Sequence, residues 1–153
     1  MTFHTRGTMN GLPSFRLDGR TAVVTGGWSG IGRTTAHMFA SVGASVVILD
    51  SDSAAASDAA DEIGSSARTI TMDVTAPTAV EEVFDGIGNR YGRIDVLFNN
   101  AGINRRRASM ELGLEDWNAL IAVNLTGMLF CARTAAKHMT MCGSIVIQHS
   151  CWE

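Results

Sequence analysis

The chain has 153 residues, enough for one domain with a buried core. With 46% apolar and 18% charged residues it is too hydrophobic for an intrinsically disordered chain. A formal net charge of −3 gives no electrostatic reason to expect nucleic acid or an anionic membrane as partner, and no apolar run approaches the roughly 20 residues of a membrane-spanning helix.

Residues 1–18 are expected to be a flexible arm, since Met1 to Pro13 lacks the apolar stretch of a secretory signal. The remainder, 19–153, reads as one unit in which apolar runs alternate with helical patterns. Strands are predicted at Thr21–Thr25, Ser45–Leu49, Arg68–Met72, Val96–Asn99 and Ser144–Gln148. Helices are predicted near Ile31–Ser41, Ser53–Ile63, Pro77–Tyr91 and Glu115–Met141. The runs Val46-Val47-Ile48-Leu49 and Ile145-Val146-Ile147 are continuous rather than alternating. Such strands belong to a parallel sheet covered on both faces. Repeated strand–helix–strand units with right-handed crossovers then predict a doubly wound α/β sheet of order 3-2-1-4-5. Gly43 and Gly92 stand where helix-terminating glycines belong. Cys131, Cys142 and Cys151 show neither CxxC spacing nor a nearby His. They read as reduced thiols of a cytoplasmic protein, two of them buried, and no metal site is expected.

The first strand runs straight into Thr25-Gly26-Gly27-Trp28-Ser29-Gly30-Ile31-Gly32, with four glycines in seven residues. Glycine removes the Cβ atoms that would keep main chain away from phosphate oxygens. The helix opening near Ile31 aims free N–H groups and its positive dipole end at the same place. A glycine turn also serves purely conformational ends, but here it lies between a strand and a helix, as a dinucleotide pyrophosphate pocket requires. Asp50 ends the second strand eighteen residues beyond Gly32. A carboxylate there accepts both hydroxyls of an adenosine ribose and repels a 2′-phosphate, and Ser29 and Ser51 supply no cation to offset that repulsion; NAD is therefore expected over NADP. The alternative is a plain helix-capping aspartate. Asp73, after the third strand, either meets the adenine edge together with the Val74 N–H or holds a turn.

Taken with Asp73-Val74, Asn99-Asn100-Ala101-Gly102 and Val123-Asn124, the glycine turn makes the chain similar to the short-chain dehydrogenase/reductase family from residue 20 onward. The resemblance implies an oxidoreductase interconverting an alcohol and a ketone with NAD(H). It implies cofactor contacts from Gly26, Trp28, Ser29, Gly30, Ile31, Gly32, Asp50, Asp73, Val74, Asn100, Ala101 and Gly102, and a largely structural role for Asn99. It implies that Asn124 holds a water in a proton relay and that Ser150 hydrogen-bonds the substrate oxygen. Ile147-Gln148-His149 departs from the family's usual Asn-Ile-Ser-Ser wording. A Ser150–His149 nucleophile is disfavoured because adjacent strand residues point to opposite faces.

The family's Tyr-x-x-x-Lys is not among these residues. Tyr91 precedes Gly92-Arg93-Ile94-Asp95, and Lys137, the sole lysine, lies in the long helix. Proton transfer must accompany hydride transfer, and a phenol with a pKa near 10 needs a nearby cation to serve at neutral pH. The chain is therefore expected to be an amino-terminal fragment with little turnover, its fifth strand an exposed edge. Helix 115–141 is a candidate homo-oligomer face. The second reading is a catalytically dead dinucleotide-binding or regulatory module. A methyltransferase-like nucleotide fold fits Asn99–Gly102 and Asn124 less well. The run Arg105-Arg106-Arg107 is a solvated turn or a contact to an anionic substrate or a neighbouring subunit.

Overall fold

The computed structural model describes residues 15–106 and 108–148. The expectations for Arg107, His149, Ser150 and Cys151 lie outside the described residues, as does most of the stretch read as an arm. Packing onto the body has started by Leu17, whose N–H donates to the Val42 carbonyl at 2.8 Å.

Five strands form one parallel sheet of order β3-β2-β1-β4-β5: β1 Thr21–Thr25, β2 Ser45–Asp50, β3 Ala67–Thr71, β4 Ile94–Asn99 and β5 Met139–Ile147. The helices are α1 Gly30–Ser41, α2 Ser53–Ile63, α3 Pro77–Tyr91, α4 Leu114–Ile121 and α5 Met128–Lys137, with a π-helical segment Ala122–Gly127 joining the last two.

The continuous apolar runs have a simple cause, because successive strand residues serve opposite faces. Val23, Val47, Leu49 and Leu97 pack with Val80, Phe84 and Ile87 of α3 and with Cys131 and Ala135 of α5. Their neighbours Ala22, Val24, Val46, Ile48 and Phe98 pack on the other side with Ala36 of α1 and Ala59 and Ala60 of α2. Both faces of the central strands are dry, and a fully buried side chain such as Phe84 or Ile48 contributes about 2–3 kcal/mol.

Several boundaries differ from the sequence reading, among them β5, which runs from Met139 to Ile147 rather than Ser144 to Gln148. β4 starts two residues earlier, at Ile94, because the polar Asp95 is paired rather than solvated. β3 runs from Ala67 to Thr71 rather than Arg68–Met72. The long helix ends at Lys137, not Met141: the His138 carbonyl accepts the Ile94 N–H at 3.0 Å, so Met139 already pairs with β4. The register then jumps from Ile94↔Met139 to Val96↔Ser144, absorbing the extra residues in an irregularity.

Contrary to the sequence expectation, the continuous helical stretch Leu114–Lys137, 24 residues, is long and apolar enough by composition to cross a membrane. Its inner side, with Met128, Cys131, Thr134 and Ala135, is buried, and α5 packs against α3, β4 and β5. Leu114, Trp117, Leu125 and Leu129 are exposed, as are Ile145, Val146 and Ile147 of β5. Of the described cysteines, Cys131 is buried, with its thiol pushed up to about 12 by burial, and Cys142 is exposed on β5.

Candidate functional site

A cleft of about 790 Å³ opens at the carboxyl ends of the strands, where the order reverses between β1 and β4. It gathers Gly26, Trp28, Ser29, Gly30 and Ile31 from the glycine turn, Asp50 from β2, Asp73 and Val74 from beyond β3, Asn100, Ala101 and Gly102 from beyond β4, and Asn124 from the π-helical segment. Gly32 does not line it. It is buried beneath the turn, where an added Cβ would stand 2.2 Å from the Gly26 carbonyl oxygen, so its absence of side chain lets α1 lie directly on the turn.

Gly26 and Gly30 have φ of +64° and +51°, left-handed angles at which an L side chain is strained. At Gly26 a Cβ would also meet the Ala101 Cα at 2.8 Å. The turn thus needs glycine for shape at two points and for close packing at a third. It delivers the chain to α1 with Ser29 in extended conformation, no side-chain cap and no acidic residue in the first turn. The opening N–H groups of α1, beside Ser29 and Gly30 in the cleft wall, are left for an anion.

Asp50 is 8% exposed. Its Oδ1 accepts the Asp52 N–H at 3.2 Å, while Oδ2 is buried with no hydrogen-bond partner. Burial raises the carboxyl above its usual pKa, and the main-chain N–H groups of Asp52, Trp28 and Ser51 only partly oppose this. A buried acceptor without a hydrogen-bond partner, on a side chain that lines the cleft, fits a ligand carrying hydroxyl donors. Asp73 behaves differently. It is exposed, and its Oδ1 accepts both the N–H and the hydroxyl of Thr75 at 2.8 Å, so it holds a turn as well as lining the cleft.

The floor is stitched from β1 to β4. The Thr25 hydroxyl donates to Asn99 Oδ1 at 3.2 Å and accepts the N–H groups of Asn100 and Ala101 at 3.0 Å each. Asn100 Nδ2 donates to the carbonyls of Thr25 and Gly26 at 3.2 and 2.9 Å, and fully buried Asn99 donates to the Met128 carbonyl at 2.8 Å. The amides after β4 therefore hold the glycine turn in place. Thr25 has this role without having been singled out by the sequence; a hydroxyl ending an otherwise apolar strand is the signal that was available.

Asn124 is likewise a clamp. Its Oδ1 accepts the Ile103 N–H at 2.8 Å and its Nδ2 donates to the Ile103 carbonyl at 2.9 Å. An Asn unfavourable inside a helix on propensity is here accommodated by a widened turn and satisfied by the loop leaving β4. Gly127, which ends that segment, lies so near Val74 that a Cβ would come within 2.8 Å of it. Ile103, Asn104, Arg106, Met128 and Gln148 also line the cleft.

Neither Tyr91 nor Lys137 reaches this cleft. Lys137 Nζ pairs with Glu81 Oε1 at 2.9 Å, and Tyr91 lies in a separate groove of about 570 Å³ between α2, β3 and α3.

The chain matches the short chain dehydrogenase family over residues 20–151. It is 36% identical over 132 residues to a D-threitol dehydrogenase of Mycolicibacterium smegmatis, covering 84% of this chain and 51% of that protein. The crystal structure of a short-chain type dehydrogenase/reductase from Mycobacterium marinum superposes with a TM-score of 0.83 at 34% identity, covering 88% of this chain and 57% of the other. A short chain dehydrogenase from Burkholderia cenocepacia, solved in complex with NADP, gives a TM-score of 0.83 at 36% identity, covering 89% and 57%. The chain thus spans about half the length of the curated relatives it matches. By the match along residues 20–151 and the sheet order it shares with these structures, the chain belongs to the short chain dehydrogenase family.

Proposed function

We propose that this chain is the coenzyme-binding part of an NAD(H)-dependent oxidoreductase that interconverts a secondary alcohol and a ketone. The observation that carries this reading is the unpartnered, buried Oδ2 of Asp50 on the cleft wall beside the glycine turn. The first turn of α1 receives the diphosphate on main-chain N–H groups of Ser29, Gly30 and Ile31. Asp50 accepts the hydroxyls of the adenosine ribose, Asp73 and the Val74 N–H face the adenine, and Asn100 to Gly102 lie along the ribose and the strand ends. When bound, the nicotinamide supplies the hydride donor or acceptor, and every other requirement falls on the protein.

The Burkholderia relative was solved with NADP. NAD is favoured here because the Asp50 carboxylate stands where a 2′-phosphate would go. The nearest cation on α1, Arg33, is committed to an ion pair with Glu62 of α2. Asn124 supports the reacting half of the cleft by holding Ile103, and Ser150 is the proposed hydrogen-bond partner of the substrate oxygen. The helical stretch Leu114–Lys137, with Trp117, Leu125 and Leu129 exposed, is the proposed homo-oligomer face, and the cytoplasm the proposed location.

A binding module without turnover is the second reading. Calorimetric titration with NAD and NADP, repeated on Asp50→Ala, tests the coenzyme assignment. NAD should bind the parent chain well ahead of NADP, and the variant should lose that preference. A parent chain that binds neither dinucleotide contradicts the proposal. NADH formation from a panel of secondary alcohols then separates the enzyme from the module.

A further inference from the structure

The cleft carries its charges at opposite ends. Both acidic groups that line it, Asp50 and Asp73, follow β2 and β3, on one side of the switch point. Among the described residues the one basic side chain lining it, Arg106, follows β4, on the other side. Its neighbour Arg105 is held away by an ion pair from Nε to Asp116 Oδ1 at 3.3 Å. Arg106 is exposed and has no ion pair or hydrogen bond to any described residue. The root of the loop bearing it, Ile103, makes two hydrogen bonds with the Asn124 side chain.

A dinucleotide lying across the switch point with its adenosine on Asp50 extends its nicotinamide toward the β4–β5 side. An oxidised nicotinamide ring is cationic. It would enter a half-cleft whose described lining residues include the Arg106 guanidinium and no carboxylate. A substrate bearing its own anion relieves both charges and meets a planar donor fork suited to carboxylate.

We propose that Arg106 selects the substrate: it receives the carboxylate of a hydroxy acid, or of the corresponding oxo acid, presenting the carbinol or carbonyl carbon to the nicotinamide. This rests on the coenzyme reading above, and it assigns to Arg106 a binding role, with no proton or hydride passing through it.

The test uses the full chain with matched ligands that differ only in charge: lactate against lactamide, and β-hydroxybutyrate against its amide. The chain is first titrated with NAD, and each small ligand is then titrated into the NAD-saturated protein, followed by calorimetry and ligand-observed NMR. At least one acid should bind about tenfold more tightly than its amide, a step typical of one charge-assisted contact. Arg106→Gln should abolish that preference and leave NAD affinity unchanged, Arg106→Lys should restore part of it, and Arg105→Gln should keep it.

Absence of NAD binding defeats the coenzyme assignment itself, before Arg106 is addressed. NAD binding with acids and amides held equally, or not at all, overturns the role of Arg106 alone. A loss of NAD affinity in Arg106→Gln with the acid preference intact also overturns it, and assigns the guanidinium to the coenzyme diphosphate instead.

Discussion

At the amino ends of the strands Asp95 is buried, 3% exposed, and fully met: it accepts the Thr21 N–H at 2.9 Å and an Arg20 N–H at 2.7 Å, and it pairs with Arg93. At the carboxyl ends Asp50 is nearly as buried, yet one of its oxygens meets nothing. Burial pushes both carboxyls upward. At Asp95 the two guanidinium groups and the Thr21 amide outweigh burial and leave its pKa lowered; at Asp50 burial prevails and it is raised. One sheet thus uses the same side chain in two ways. The closed end ties β1 to β4 and holds the fold, and the open end leaves a buried acceptor without a partner at some expense in stability.

The largest effect that can break this comparison is Gly32→Ala. Its Cβ would meet main-chain oxygen rather than a yielding side chain, so a loss of about 3 kcal/mol in urea unfolding is expected, with NAD binding lost as the turn shifts. Asp95→Ala should follow. It leaves Arg20 and Arg93 without their shared acceptor, but both are partly exposed and water relieves them, so about 2 kcal/mol is expected. Below its unfolding temperature that variant should titrate with NAD as the parent does; weakened binding would mean the two ends are coupled.

Asp50→Ala should show the reverse pattern. NAD affinity should fall about tenfold by calorimetry while the unfolding midpoint holds or rises. A lowered midpoint would mean that Asp50 is a structural cap and not a reserved acceptor. The smallest effect is in the pH profile of stability. A lowered folded pKa means that the contribution of Asp95 is complete above its unfolded value of about 3.9 and disappears as pH falls through the folded value. For Asp50 the sign reverses: its raised folded pKa favours folding below the unfolded value, and that contribution disappears as pH rises through the folded one. Chemical denaturation between pH 3 and pH 6 should therefore show Asp95→Asn flattening the acid slope and Asp50→Asn steepening it; identical profiles would erase the distinction.

Much of this was legible in residue order. Continuous β-branched runs separated by helical periods dictate buried parallel strands, because only a sheet covered on both faces accepts them, and the glycine turn announced its own backbone angles. The strand order followed from the first of these facts and the glycine-turn residues of the cleft from the second, whereas Asn100, Ala101, Gly102 and Asn124 were expected only from the family resemblance. Less visible was which polar side chain finds which partner. Asp50 was singled out by its place after the second strand, whereas Asp95 was left outside the fourth, and neither position tells which carboxylate finds partners. One is satisfied by residues 74 and 75 positions away and the other is not.

The same holds for Asn124, whose placement inside a helix looked like a propensity fault until Ile103 was brought to it from 21 positions away, and for the end of the long helix, which Ile94 decided by capturing the His138 carbonyl. Periodicity and glycine act over one or two turns of chain, so residue order was enough for the kinds of element, their succession and the location of the turn. Hydrogen-bond satisfaction of buried groups is settled between strands far apart in the chain, so only the tertiary structure decided which acid holds the fold, which stands open, and that Arg106 faces the cleft while Arg105 does not.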